Sequence, residues 1–262
     1  MSSLVYWRMV MPDRLYLADL FFKCAEPIRS LPEFHGARWH AWARFALKGY
    51  LDFDAAIFGL LPSRSGKHPI LPGETLALRL VLTSVGAKAI DLIENRLTAS
   101  DNGKAFGPAQ LALDRDRTAV RPLNEAFLKD RLESLLALDT FAINLFTPLR
   151  LVAPTEWKGK DAKSRFCQPE FFASPCALDR MLAGVRRDPA NRTACRIVSK
   201  DLVWKDLRYN RDRRVALGGV CGKIVCEGRP EEETARALIL GQYAGCGKNP
   251  RFGLGYWRLC PD

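Results

Sequence analysis

The sequence lacks the patterns that usually reveal zinc sites and membrane spans. Its eight cysteines form no C-x-x-C pair, and only three histidines are present to join them, which argues against a zinc-binding module. No run of about 18 apolar residues occurs, so we expect no membrane-spanning segment and no membrane partner. The N-terminal stretch MSSLVYWRMVMPDR lacks the uninterrupted apolar core of a signal peptide. We therefore expect reduced thiols and a cytoplasmic location.

Two common phosphate-binding motifs are also missing, although one stretch is rich in glycine. Residues 241–259, GQYAGCGKNPRFGLGYWRL, contain five glycines, and Asn249 follows Lys248 where a P-loop requires Ser or Thr. The flanking patterns predict a helix before this stretch and a strand after it, whereas the P-loop and the dinucleotide fingerprint both need a strand first. No nucleotide cofactor is indicated.

What the chain does have is a large apolar content and an excess of positive charge. Of 262 residues, 48% are hydrophobic, which is enough for a sizeable core. Forty lysines and arginines against 29 acids give a net charge of +11. This excess favours a polyanionic partner such as nucleic acid, although a basic protein with no such role has a similar composition.

Most of the excess charge lies between residues 156 and 214, where 15 basic and eight acidic residues leave +7. Trp204 and Tyr209 stand among these arginines, a mixture that suits contact with phosphates and stacking on bases. We expect a basic insertion, helical or hairpin-like, that grips RNA; the alternative is a solvated surface segment. The arginines predicted to contact RNA are Arg186, Arg187, Arg192, Arg196, Arg208, Arg211, Arg213 and Arg214.

Strand-like and helix-like segments alternate twice along the chain. Strands are predicted at residues 15–24, 75–83, 106–114, 141–152, 215–226 and 256–260, and helices at 37–51, 85–97, 174–187 and 231–240. Two successive β-α-β-rich halves indicate an α+β protein with tandem ferredoxin-like (RRM-like) domains, at residues 1–125 and 137–262. One larger α/β domain is the alternative.

The glycine-rich stretch, which we call the glycine loop, has two interpretations. Glycines permit left-handed backbone and close approach of another chain, and exposed N–H groups with basic side chains suit phosphate oxygens. The alternative is a tight helix-to-strand connection. Anion binding is the interpretation we favour, through Gly245, Gly247, Lys248, Asn249, Arg251, Gly253 and Gly255.

This stretch also carries a family resemblance. LILGQYAGCGKNPRFGLGYWRL resembles the C-terminal glycine-rich loop of the RAMP superfamily, specifically the CRISPR-associated endoribonucleases of the Cas-six group, which cut precursor CRISPR RNA within its repeats. LPEFHGARWHAWARFAL resembles the family's first helix, LPGETLALRLVLTSVGAKAIDLI its second strand and helix, and FTPLRLV the strand that opens the second domain. CQPEFFASPCALDRML and RVALGGVCGKIVCEG resemble the helix and strand that follow.

The resemblance implies tandem ferredoxin-like folds, a stem-loop or single-stranded CRISPR repeat RNA as partner, no metal, and a product RNA that often stays bound. It also implies possible partnership with other Cas subunits in an effector complex. The basic second half departs from compact family members and indicates the variant found in type IV CRISPR systems. A non-catalytic RAMP subunit that binds guide RNA is the alternative function.

The candidate catalytic residues are His35, Arg38 and His40. The resemblance implies a catalytic histidine in or near the first helix but does not choose between the two. On a helical wheel His40 shares a polar face with Arg44 and Lys48, which are candidate RNA contacts, while Arg38 projects among apolar positions at the first turn, where free N–H groups favour an anion. The alternative is that Arg38 and His40 are merely solvated. A site built on arginines, or one assisted by Tyr16 or Lys23, also stays open; His68 is expected to be an exposed loop residue.

Overall fold

The computed structural model describes residues 14–28, 31, 34–62, 69–99, 111–151, 169–173, 177–182, 185, 194–208 and 216–261. The N-terminal sheet is antiparallel, with the order β2-β3-β1-β4, and β5 also pairs with β1. Its strands are β1 (Leu15–Cys24), β2 (Ile57–Pro62), β3 (Thr75–Thr83), β4 (Leu111–Leu113) and β5 (Ala119–Pro122). The helices of this half are α1 (Gly36–Leu47), α2 (Phe53–Ala56), α3 (Ser84–Lys88) and α4 (Ile90–Ala99).

The C-terminal sheet is also antiparallel, with the order β7-β8-β6-β9. Its strands are β6 (Thr140–Leu149), β7 (Arg196–Arg208), β8 (Ala216–Glu227) and β9 (Trp257–Pro261). Helices α5 (Glu125–Leu136), α6 (Ala177–Leu182) and α7 (Glu232–Ala244) belong to this half, with short 3₁₀ helices at Pro169–Ala173 and Pro250–Phe252. In both sheets the order is second, third, first and fourth strand, so the predicted α+β fold with tandem ferredoxin-like units is confirmed.

The two faces of strand β1 pack against different parts of the protein. Its even-numbered residues, from Ala18 to Cys24, join a buried cluster with Trp39 and Trp42 of α1. Its odd-numbered residues point to the opposite face, because side chains alternate along a strand. There Leu15 and Leu17 join a second cluster that is formed mainly by the C-terminal half. The N-terminal sheet therefore has helices on one face and the other half of the protein against part of the other.

The basic segment differs from expectation. The prediction of a helical insertion is wrong for residues 196–208, because they form β7 and pair with β8 along their length. These two consecutive antiparallel strands fit the hairpin-like alternative. Ile197, Leu202 and Trp204 pack against the core cluster, and a β-branched and aromatic composition of this kind favours a strand. Residues 186–193 and 209–215 lie outside the described residues.

Helix α5 occupies the region expected to join the two domains. The Asn124 side chain caps it by accepting a hydrogen bond from the Phe127 N–H at 3.0 Å. Its buried face, Leu128, Leu132 and Leu135, joins the cluster of the C-terminal half. The domain limits at residues 125 and 137 stay a prediction. None of the helices in the described ranges is long and apolar enough to cross a membrane.

Candidate functional site

Helix α1 begins at the point where three parts of the chain meet. His35 precedes it, is only 3% exposed, and accepts a hydrogen bond at Nδ1 from the Trp39 Nε1–H at 3.0 Å. Trp39 and Trp42 are buried beneath the N-terminal sheet, so the packing of the helix fixes the position of the histidine. The His35 carbonyl accepts the Arg38 N–H at 2.9 Å, which closes the first turn.

The glycine loop docks directly on this end of α1. A Cβ at residue 36 would lie 2.1 Å from the Phe252 carbonyl oxygen, so only glycine allows the contact. On the next turn of α1 the His40 ring stacks on Phe252, with the ring centroids 4.1 Å apart. The sequence therefore brings its two most distinctive stretches, the histidine-bearing helix and the glycine loop, into one contact.

Arg251 fixes the loop from the other side. Its guanidinium donates hydrogen bonds to the Ile57 carbonyl, to Asp54 Oδ1 at 2.9 Å and to the Asp54 carbonyl at 2.7 Å. The side chain is 19% exposed. Arg251 was predicted to contact RNA; in the structure its donors bind the N-terminal half, so we assign it to holding the loop on that half.

His40 also departs from the predicted helical face. Instead of facing solvent with Arg44 and Lys48, it is 8% exposed and lies between Phe252 and Phe53. Burial is the main cause that lowers its pKa from 6.5 to about 4, and the nearby charges of Arg44 and Arg251 add to this, against Asp54. The helical wheel wrongly predicts that His40 faces solvent, because the glycine loop covers this residue. Conversely, the apolar side chains of Phe45 and Tyr50 are 50% and 55% exposed.

A cleft of about 640 Å³ opens between the two sheets, next to His35. Its walls come from β1, β2 and β3 on one side and from β6, β9 and the end of α7 on the other. Among the described residues, His35 is the one member of the predicted catalytic set that lines it. The polar and aromatic lining residues are Asp19, Phe21, Phe34, His35, Arg79, Asn144, Phe146, Thr147, Gln242, Tyr243, Trp257 and Arg258.

The protonation state of His35 follows from these surroundings. Burial, and secondly the charge of Arg38, lower its pKa from 6.5 to about 4. It is therefore neutral at pH 7, and because Nδ1 accepts from Trp39, the ring proton resides on Nε2. Binding of an anion near the ring would raise this pKa, since an opposite charge favours the imidazolium form. A phosphate in the cleft would thus bring His35 closer to the range in which it transfers protons at neutral pH.

Each wall of the cleft pairs a phenylalanine with an arginine. The Arg117 guanidinium carbon lies 4.4 Å from the centre of the Phe21 ring, and that of Arg258 lies 5.3 Å from the centre of Phe146. Arg79 binds the Asp19 carboxylate, at 2.7 Å from Nε to Oδ1. Aromatic and guanidinium groups can stack on nucleobases. These residues are not among those predicted from the sequence, although the alternation of β1 places Phe21 on the face opposite the helices.

The glycine loop is packed more tightly than an open phosphate cradle. Asn249 is left-handed, with φ 66°. Gly255 has φ 76°, and a Cβ there would lie 2.0 Å from the Cys246 carbonyl oxygen. The predicted order of helix, loop and strand is confirmed by α7 and β9. The glycines in this structure meet the protein itself, as the tight-connection interpretation expects, while Lys248 and Asn249 stay half-buried. RNA contact through Gly245, Gly247, Gly253 and Gly255 stays a prediction.

The other predicted RNA contacts lie on different surfaces. Arg44 on α1 and Lys48 just after it are exposed, and Arg196 is paired with Glu227 at 2.8 Å. Lys205 of β7 lies 5.5 Å from the centre of the Phe34 ring, so the hairpin reaches the turn before α1. Arg208 ends β7. His68 and the arginines at 186, 187, 192, 211, 213 and 214 lie outside the described residues.

The alternative catalytic residues in β1 are less well placed. Tyr16 packs against the cluster beneath α1, on the face of β1 opposite the cleft. Lys23 pairs with Asp114 at 3.0 Å. Within the described ranges, no group of three or more His, Cys, Asp and Glu side chains is placed to hold a metal ion.

Comparison with known proteins identifies the fold. No family model matches the sequence, and no curated protein matches it closely enough to count as a relative. Among solved structures, a chain of a partial Cas6-RT-Cas1–Cas2 complex matches 97% of this chain with 14% identity and a TM-score of 0.69. The match takes in 47% of that longer chain, so this protein spans about half its length.

Two matches of similar length are more distant in shape. A Cas6 product complex matches over 95% of this chain and 100% of its own, with 14% identity and a TM-score of 0.51. A RAMP protein that binds different RNA substrates matches over 94% of this chain and 99% of its own, with 11% identity and a TM-score of 0.51. The predicted resemblance to Cas6 and RAMP proteins is therefore confirmed at the level of the fold.

Proposed function

We propose that this protein, which has the fold of Cas6 and RAMP proteins, is an endoribonuclease that cuts precursor CRISPR RNA within its repeats and retains the product. The observation that carries the proposal is the position of His35. It stands where α1, the glycine loop and a cleft of about 640 Å³ between the two sheets meet, and a titratable group of this kind in a cleft is a candidate for proton transfer.

The reaction needs no group beyond those of the protein and the RNA. The ribose 2′-oxygen attacks the adjacent phosphorus, and the bond from phosphorus to the 5′-oxygen breaks. The 2′-proton passes to a base, and the departing 5′-oxygen takes up a proton. The products are a 2′,3′-cyclic phosphate and a 5′-hydroxyl. We place His35 in the proton transfers and Arg38 as the positive charge that stabilises the phosphorane.

Exposed cations on several surfaces of the protein suit contact with an RNA backbone. Arg44 on α1 and Lys48 just after it are exposed, Lys248 lies in the glycine loop, and Lys205 of β7 reaches Phe34 beside the cleft. We assign these groups to binding the repeat, with phosphate contacts dominant if the repeat forms a stem, since the major groove of an A-form duplex is too narrow for side chains to read. The type IV assignment and the cytoplasmic location stay predictions.

The decisive experiment is incubation of purified protein with end-labelled repeat RNA in EDTA. We expect one discrete cut with the two end groups named above. Repeat RNA that carries a single 2′-deoxyribose 5′ to the cut should bind equally well and remain intact, because the nucleophile is absent. Binding without a cut in either RNA would contradict the proposed activity.

A non-catalytic RAMP subunit that binds guide RNA is the second candidate. The observation that favours it is the titration of His35: with a pKa near 4 and Nδ1 engaged by Trp39, the residue is not poised for proton transfer in the free protein. In this case partners would be other Cas subunits. The same EDTA assay separates the two functions, since the subunit would bind repeat RNA and leave it whole.

A further inference from the structure

Arg150 lies directly beneath the glycine loop. It follows β6, and its carbonyl oxygen accepts a hydrogen bond from the Lys248 N–H at 2.7 Å. A Cβ at residue 247 would lie 2.4 Å from the same oxygen. The end of β6 and the loop are therefore in direct backbone contact, and Arg150 and Lys248 are neighbours across it.

The Arg150 side chain has an unsatisfied donor. Its Nε is fully buried and has no hydrogen-bond partner among the described residues. Buried polar atoms in folded proteins nearly always have a partner, and leaving a charged donor without one destabilises the fold. A bound ligand that supplies the missing acceptor is one explanation of such a group, and for a cationic donor beside the glycine loop it is the one we pursue.

Its charge also has no ion-pair partner in the ranges that the structure describes. In the described part of the chain, neither Arg150 nor Lys248 forms an ion pair, whereas Arg251 binds Asp54 and Arg79 binds Asp19. The same loop region thus contains one arginine that is held by the protein and two cations that are not. Guanidinium groups bind phosphate oxygens through paired N–H groups, with a fixed geometry that lysine lacks.

We propose that Arg150 is a phosphate ligand, and that together with Lys248 it binds one backbone phosphate of the RNA where the strand passes the glycine loop. That the phosphate belongs to RNA rests on the proposed function; the anion site itself rests on Arg150. Composition does not single out Arg150. It is the one charged residue of FTPLRLV and lies outside the glycine loop and outside residues 156–214.

The test compares Arg150→Met with wild type, using non-cleavable 2′-deoxy-substituted repeat RNA. The variant keeps an unbranched side chain that reaches about as far as Nε, and it removes the charge and the donors. We expect about tenfold weaker binding at physiological salt, and a slope of log affinity against log salt that is smaller by about one. Arg150→Lys should keep the slope and lose part of the affinity. The matched control is Arg229→Met, which removes an exposed arginine paired with Asp139 at 2.6 Å and should change neither.

Stability separates a ligand from a structural residue. Since methionine removes an unsatisfied buried donor, the thermal midpoint of the free Arg150→Met protein should equal or exceed that of wild type. A lower midpoint together with weaker binding would overturn the proposal, because it would show that Arg150 supports the fold. Unchanged affinity and slope would overturn it as well.

A second arm uses inorganic phosphate alone and does not depend on RNA. Phosphate should raise the thermal midpoint of wild type more than that of Arg150→Met. Equal stabilisation of the two proteins would overturn the anion site, whether or not the protein binds repeat RNA. Failure of wild type to bind repeat RNA would instead contradict the proposed function, and the phosphate arm would still decide the role of Arg150.

Discussion

His35 and His40 both lie where α1 meets the glycine loop, and they are alike in burial and in titration. Both are nearly fully buried, and burial is the main cause that lowers each pKa to about 4. His35 borders the cleft between the sheets, whereas His40 lies between two phenylalanine rings. Burial and titration therefore do not distinguish a site residue from a packing residue; access to the cleft does.

The arginines follow the same division. Arg251, on the packed side, donates to Asp54 and Ile57 of the N-terminal half. Arg79 and Arg258 line the cleft. The contact between α1 and the loop thus separates two sets of groups. Those on the cleft side can meet a ligand, and those on the packed side hold the two halves of the protein together.

Replacing the histidine on the cleft side should have the largest effect. We expect His35→Ala to slow single-turnover cleavage of repeat RNA by at least about 100-fold, the usual contribution of one proton-transfer group, with RNA affinity within about threefold of wild type. His40→Phe is the matched control, since it keeps an aromatic ring between Phe53 and Phe252, and its rate should stay within a few-fold of wild type. A His35→Ala enzyme that cleaves at the wild-type rate would place the chemistry elsewhere.

The second prediction concerns acid stability. Each histidine titrates near 4 when folded and near 6.5 when unfolded, so the unfolded state binds more protons as the pH falls through this window. The contribution of the two neutral histidines to the free energy of unfolding is complete above pH 6.5 and is lost as the pH falls towards 4. From pH 7 to pH 5 each should cost on the order of 2 kcal/mol of unfolding free energy. Urea titrations measure it.

His40→Phe provides the internal comparison for this effect. It removes one of the two titrating groups, so its loss of stability between pH 7 and pH 5 should be smaller than that of wild type by the share of one histidine. An equal loss in the two proteins would mean that His40 is not protected from protonation in the fold.

The third and smallest effect concerns the hydrogen bonds by which Arg251 holds the glycine loop on the N-terminal half. Arg251→Ala should lower the unfolding free energy by about 1–3 kcal/mol, because it leaves the Ile57 and Asp54 carbonyls without a donor. Asp54→Ala should cost less, since the carboxylate is 54% exposed and its ion pair is partly screened. The salt dependence of RNA binding should not change in Arg251→Ala. A slope smaller by about one would restore the original prediction that Arg251 contacts RNA.

The fold was predictable where one face of an element is buried and the pattern is regular. The strands at residues 15–24 and 75–83 match the limits of β1 and β3, because charged residues such as Asp19, Lys23 and Arg79 stand at odd positions among the apolar ones. Strand β2 was missed because its six residues, IFGLLP, are almost all buried and show no alternation. The helix predicted at 85–97 is interrupted at Ala89, between α3 and α4.

The site was less predictable, because its decisive contacts join distant parts of the sequence. The helical wheel placed His40 in solvent, but Phe252, more than 200 residues away, covers it. Arg251 carries the charge expected of an RNA ligand, yet its partner Asp54 is 197 positions earlier. Neither contact can be predicted from the local pattern of apolar and polar residues. The sequence could nominate the helix and the loop, and the resemblance could link them, but only the packing shows which side chains face the cleft.

The cluster that crosses the two halves has a consequence for synthesis of the chain. Leu15, Leu17, Phe58 and Val81 of the N-terminal sheet are buried among residues that extend to Trp257. While the ribosome is still translating the second half, that sheet has no cover for this apolar patch. Since transiently exposed apolar surface promotes aggregation, the nascent N-terminal half is expected to need chaperone protection until β6 and α7 have emerged.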